Sequence, residues 1–325
     1  MMDRFTAHID RAWELIAKGE SMQAMVATRQ ALGMNNKAPE VHNLLGYIHA
    51  MDGDFDEALS SYQMAMELDD SYLDPILNTA ELLLYPCAQP EEAMFFCRQA
   101  REIITSTDDL IEVILLETDA LLNTGRSEEA RDKLEELKEL DIVSSSYNLL
   151  AARACYEAGE NQEARTYIDK ALSLDPECTD AHYYNGLLLR EEGKRIDAVT
   201  VFLNVLKRDS LEGVPIDKKE MLDFENKVKC AIELADDKTR SMLKGTEIIV
   251  SQLPSEEQVC LEFDPRQVVH AEDIDPKRES YKKLWVFVQN FLRMGKSVNL
   301  QEPELLQIIL DEILPIDKKE QTFSD

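Results

Sequence analysis

Residues 39–70 read PEVHNLLGYIHAMDGDFDEALSSYQMAMELDD, and this stretch decides the fold. Val41, Leu44, Leu45, Ile48 and Met51 recur at the spacing of one helical face. Gly53 then supplies a residue free to take positive φ where that helix stops. Asp54, Asp56 and Glu57 place acids at the start of a second helix, whose apolar face runs Ala58, Leu59, Tyr62, Ala65 and Met66. Neither helix is long enough to persist alone in water, so each must bury its face against a neighbour.

The rest of the chain supplies the neighbours. Gly19, Gly53, Gly125, Gly159 and Gly193 stand 34 residues apart, or about twice that where one copy intervenes. Ala24, Ala58, Ala93, Ala130, Ala164 and Ala198 mark the start of each second helix, at steps of 34, 35, 37, 34 and 34. Seven residues further on come Ala31, Ala65, Ala100, Leu137, Ala171 and Val205. Twelve residues before each marker lies a small residue of the first helix: Ala12, Gly46, Thr118, Ala152 and Gly186, with Glu81 or its neighbour Ala80 in the third copy. Small side chains let two helix axes cross closely, and Tyr62, Leu134, Ile168 and Phe202 fill the gaps between them. In the third copy the glycine turn is replaced by Tyr85-Pro86-Cys87-Ala88-Gln89-Pro90, a turn about one residue longer and stiffened by two prolines.

A helical hairpin repeated every 34 residues, with small residues at its crossings, resembles the tetratricopeptide repeat. The resemblance covers roughly residues 5 to 210 as six copies. It implies an all-α solenoid whose first helices line a concave groove for an extended or helical peptide. Carried over residue by residue, it points to Trp13 in the first copy (with Thr6, Ile9 and Ile16), and to Glu40, Asn43 and Tyr47 in the second. Asn78 and Glu81 follow in the third copy, then Glu112 and Asp119 in the fourth. Arg153 and Tyr156 belong to the fifth copy, and Asp180, Tyr183 and Arg190 to the sixth. Some members hold a C-terminal carboxylate with lysines and asparagines, but no lysine stands at these positions, so that clamp is not expected. Carboxylates mixed with aromatics suit a partner presenting Lys or Arg beside apolar anchors.

Repeat periodicity stops near Ser210. The expected organisation is a six-repeat solenoid over 1–210, a capping helix within 211–236, and a small α+β region over 237–325. Residues 217–236 read as the amphipathic cap and 246–251 as a strand. Prolines 254, 265 and 276 punctuate a loop-rich stretch, 281–293 reads as strand then helix, and 302–314 as a last helix before a polar tail from Asp317. This order resembles a small zincin-like metallopeptidase domain, in which an HExxH motif on the last helix holds zinc and supplies a glutamate base. The matching segment here is Asp311-Glu312-Ile313-Leu314-Pro315: the glutamate is present, but Asp311 and Pro315 replace both histidines. A zinc peptidase is therefore not expected, and the alternative to a binding protein is a degenerate, pseudo-enzymatic relative recruited by the repeats.

The net charge of −29 opposes nucleic acid and anionic membranes as partners and permits a basic protein. No apolar window reaches the length of a membrane span, and Met1-Met2-Asp3-Arg4-Phe5 leads straight into an amphipathic helix without an apolar leader. Six cysteines without CxxC spacing read as reduced packing residues, so a cytoplasmic location is the default. His42 and His49, seven apart on one helix, lack a third ligand, and no phosphate-binding glycine loop or nucleophile elbow occurs. No catalytic residue, metal or cofactor is expected. The functional expectation is an adaptor or chaperone-like protein that binds a protein or peptide, with self-association through an open solenoid end as a further possibility.

Overall fold

The computed structural model describes residues 4–272, 274–275, 280–295 and 300–313. The expected readings of Met1–Asp3, Pro276, Leu314, Pro315 and the tail from Asp317 lie outside the described residues. By contacts the chain forms two compact units, Met1–Glu177 and Cys178–Asp325.

The first unit is five helical hairpins: α1 (Arg4–Ile16) with α2 (Ser21–Met34), α3 (Pro39–Asp52) with α4 (Phe55–Leu68), α5 (Leu73–Leu84) with α6 (Pro90–Ile103), α7 (Thr107–Asn123) with α8 (Ser127–Lys138), and α9 (Ser145–Glu157) with α10 (Asn161–Leu174). Each first helix packs on its own second helix, and α1, α3, α5, α7 and α9 pack one on the next, so within this unit the odd-numbered helices form one continuous wall. The turn glycines behave as their spacing predicts, with φ of 72° to 83° at Gly19, Gly53, Gly125 and Gly159. In the third copy the left-handed conformation passes to Ala88, at φ 52°, a strained choice for a residue with a Cβ. Ser106 caps α7, its hydroxyl accepting from the Asp109 N–H at 3.0 Å.

The helix crossings show volume compensation. Ala12, Ala80 and Ala152 are fully buried, which settles the crossing residue of the third copy as Ala80, while Glu81 reaches solvent. Where the crossing residue is glycine, the residue sixteen further on is a large aromatic: Gly46 lies under Tyr62, and a Cβ built on Gly46 would stand 2.5 Å from the ring. Gly186 lies under Phe202 in the same way. Where it is alanine or threonine, the corresponding residue is non-aromatic, as in Ala12 with Thr28, Ala152 with Ile168 and Thr118 with Leu134; in the third copy, whose turn is about one residue longer, Ala80 corresponds to Cys97 at seventeen. In the second copy Val41, Leu44 and Ile48 are fully buried as their spacing requires, whereas Met51 is exposed.

The second unit begins with the sixth hairpin, α11 (Thr179–Glu191) and α12 (Arg195–Glu212). It continues through α13 (Lys218–Glu233), α14 (Asp237–Leu243), β1 (Glu247–Ser251), α15 (Glu256–Cys260), β2 (Val269–Ala271), β3 (Ile274–Asp275), β4 (Ser280–Tyr281), β5 (Lys283–Phe287), α16 (Val288–Arg293) and α17 (Glu302–Ile313). β5 is central, parallel to β1 from the Glu247–Lys283 pair onward and antiparallel to β2, while β3 and β4 form a separate short pair. The helix expected as a cap on the repeats serves another purpose. Phe224, Val228, Ala231 and Ile232 of α13 pack into one core with Leu284, Val286, Phe291, Leu305 and Ile309, because its apolar stripe is matched by the sheet and by α17. Its start is fixed by a capping box between Asp217 and Glu220.

Candidate protein-binding site

The odd-helix wall of the first unit brings together side chains one repeat apart. Trp13 of α1 meets Tyr47 of α3 edge to face, with ring centroids 5.3 Å apart. Asn43 is only 1% exposed. It accepts from Asn78 Nδ2 at 2.9 Å and donates to the Tyr72 hydroxyl at 3.3 Å, so it supports the wall from behind. Glu112 accepts from the Tyr147 hydroxyl at 3.2 Å. Tyr85 and Arg153 both donate to Asp119 Oδ2, which ties α5, α7 and α9 together around a buried carboxylate. These links span 34 or 35 residues, so the repeat period is written into the side-chain bonds as well as the backbone.

Between α3, α4 and α5 the wall opens into a cavity of about 300 Å³, lined by Tyr47, Tyr62, Asn78, Glu81, Leu82 and Tyr85 among others. Glu81 is exposed on the wall, and partial desolvation by the protein around it raises its carboxyl pKa. Burial likewise raises Glu112, with Glu81, Asp109 and Asp74 adding to the effect, and Glu157, where Arg153 partly opposes it. Burial, with Glu81 beside it, also drives the Tyr62 hydroxyl above its usual range, so that ring stays neutral. The face is thus electronegative and rich in π surface. Glu40 is exposed at the first turn of α3, and Tyr156 is half-buried on α9.

In the second unit the sixth-copy residues are engaged internally. Tyr183 donates to Asp264 Oδ2 at 3.2 Å, Arg190 reaches the same oxygen at 3.6 Å, and Arg266 lies 4.7 Å from the centre of the Tyr183 ring. Arg266 also pairs with Asp180 at 2.7 Å and forks onto Asp209 at 2.9 and 3.0 Å. Asp209 is 1% exposed and receives Arg293 as well, at 2.8 Å. Sequence reasoning missed this knot, although a signal existed. Phe202, Val205 and Leu206 form a buried stripe on which Asp209 falls at the next helical step, and a carboxylate there requires cations.

His42 and His49 do not converge: the first meets the Asn36 carbonyl at 2.9 Å and the second faces Asp54 at 3.7 Å. Among the described residues no three His, Cys, Asp or Glu side chains are grouped to hold a metal ion. His270 packs against the Phe263 ring at 3.8 Å, with Gln267 at its Nδ1. No helix among the described residues is long and apolar enough to cross a membrane.

Residues 39–72 and residues 149–212 match models of the tetratricopeptide repeat. Neither match falls on 237–325, and the zincin-like resemblance of that region is not shown. Among solved structures, the chain is similar to PilF of Pseudomonas aeruginosa, at 20% identity over 63% of this chain and 91% of that one, with a TM-score of 0.51. It is similar to PilW, described as a type IV pilus biogenesis factor, at 16% identity over 63% and 93%, with a TM-score of 0.55. The Cut9-Hcn1 structure from the APC/C aligns at 12% identity over 60% of this chain and 38% of that one, with a TM-score of 0.52. At these identities the likeness is one of fold. No curated protein matches the chain.

Proposed function

Since this is a tetratricopeptide-repeat protein, whose fold supports a general role in protein–protein interaction, we propose that the odd-helix wall of its first unit is the binding surface. The partner is a polypeptide carrying basic side chains beside apolar anchors. One observation supports this most directly: Trp13, Tyr47, Glu81 and Glu112 lie along a wall on which Arg153 is already neutralised by Asp119. Such a wall repels anions and attracts cationic chains without any rearrangement, and the aromatics supply contact area at low entropic cost. No covalent chemistry is needed. Asp180, Tyr183 and Arg190, which pair with Asp264 and Arg266, act within the second unit on this reading. The proposed repeat array still runs from 1 to 210, and the proposed compartment is the cytoplasm, on the strength of the free thiols.

Affinity capture from the native cell, with wild type, Trp13→Ala and Glu112→Lys as baits, tests the reading. Loss of the same captured proteins with both variants supports the wall. Unchanged capture by both variants, each folded by circular dichroism, refutes it.

A further inference from the structure

The cavity between the second and third copies has a chemistry more specific than the wall around it. Its rings belong to Tyr47 of α3, Tyr62 of α4 and Tyr85, the residue that caps the end of α5. Tyr62 is held against Gly46 and is 2% exposed, so it forms a fixed floor rather than a mobile lid. The Tyr85 hydroxyl proton is committed to Asp119. Asn78 commits an amide hydrogen to Asn43, which leaves its carbonyl oxygen to accept. The Glu81 carboxylate has no hydrogen bond or ion pair among the described residues, and no Lys, Arg or His lines the cavity. The site therefore offers π faces, one unpaired carboxylate and one amide oxygen: acceptors in excess of donors, around a volume of about 300 Å³.

From this juxtaposition we infer that the cavity is a subsite for one lysine side chain of the bound polypeptide, its ammonium on Glu81 and its stem between the tyrosine rings and Leu82. The inference rests on the wall being the binding surface, and it names the residue type that anchors there. An ammonium carries three donors, which Glu81, the Asn78 carbonyl and one water satisfy. A guanidinium carries five in a planar fork and would leave donors unmet among the rings. A cation over tyrosine faces gains further when it is partly desolvated. An apolar side chain would leave Glu81 without a partner in a crowded wall, and an acid would meet Glu81 directly.

The test uses the full chain and a library of N-acetylated, C-amidated dodecapeptides of random sequence. Selected peptides are expected to share a lysine. Replacing it by norleucine, which keeps the stem and removes the charge, should weaken binding about tenfold or more, as the loss of a charge-assisted hydrogen bond implies. On Glu81→Gln the same replacement should have little effect, and Tyr47→Leu should weaken the lysine peptide with its melting transition retained. Selected peptides without a shared lysine overturn the subsite and leave the wall reading standing. So does an equal norleucine penalty on wild type and Glu81→Gln, or an arginine peptide bound as tightly as its lysine counterpart. A library from which no peptide is retained overturns both readings.

Discussion

Gly46→Ala tests the packing logic of the repeats most sharply, because two opposing effects can be weighed. Alanine is the better helix former, worth about 1 kcal/mol in a helix interior. At Gly46, however, the added Cβ would lie 2.5 Å from two carbons of the Tyr62 ring and 3.0 Å from a third. Carbon atoms pack at roughly 3.5–4.0 Å, so about 1 Å of overlap must be relieved. Tyr62 cannot swing away cheaply: it is 2% exposed and packed in a cluster with Ala58, Leu82, Leu59 and Met66. Overpacking of such a site costs about 1–3 kcal/mol, and the directness of this clash places it near the upper end. The net expectation is a loss of about 1–2 kcal/mol. Gly33→Ala is the control, since Gly33 is also helical, has ordinary φ, and nothing lies within 4 Å of its would-be Cβ. It should gain stability, though less than the ~1 kcal/mol of a helix interior because Gly33 lies in the last turn of α2. Urea unfolding followed by far-UV circular dichroism separates the two by their midpoints. The cost of Gly46→Ala should also shrink in a Tyr62→Leu background, where the ring is gone. If Gly46→Ala stabilises as much as Gly33→Ala, the account of glycine paired with an aromatic ring is wrong.

Asp209→Ala strands Arg266 and Arg293 against a buried site and should cost about 3–5 kcal/mol, read as an early thermal transition and early proteolysis in the second unit. Ala88→Gly removes the left-handed strain of the proline-rich turn and should stabilise by about 0.5–1 kcal/mol; a loss would show that the alanine methyl makes a contact worth more than the strain. Burial raises the folded pKa of Glu81 above its ordinary 4.5, so ionisation of Glu81 costs stability above that folded pKa. Glu81→Gln should therefore be more stable than wild type near neutral pH. The advantage should close as pH falls through the raised value towards 4.5, and an advantage that persists in acid would contradict the assignment.

Much of the architecture was legible because the repeat is written in residues with a single physical use. A glycine at positive φ, an alanine at a crossing and an acid at a helix start each answer to a local constraint, and their 34-residue spacing carries the hairpins without reference to distant contacts. The third copy shows the limit: sequence left Ala80 and Glu81 as rivals for the crossing, and only packing assigned Ala80 to the core and Glu81 to the cavity. The C-terminal elements were legible one at a time, as the strand at β1 and the strand-to-helix step at β5 and α16 attest. Their partners were not. An amphipathic helix states that it needs an apolar surface without stating which one, so α13 read as a cap on the repeats although its stripe belongs to the sheet core. The same holds for charge. Asp180, Tyr183 and Arg190 looked like the last stretch of the groove, and their pairing with Asp264 and Arg266 spans about 80 residues in sequence, beyond any periodic signal. Sequence alone determined the repeat and the types of residue on its faces, because helical period and turn conformation are local. The tertiary structure decided which carboxylates are already neutralised and which, like Glu81, have no ion pair among the described residues, because electrostatic pairing depends on proximity in space.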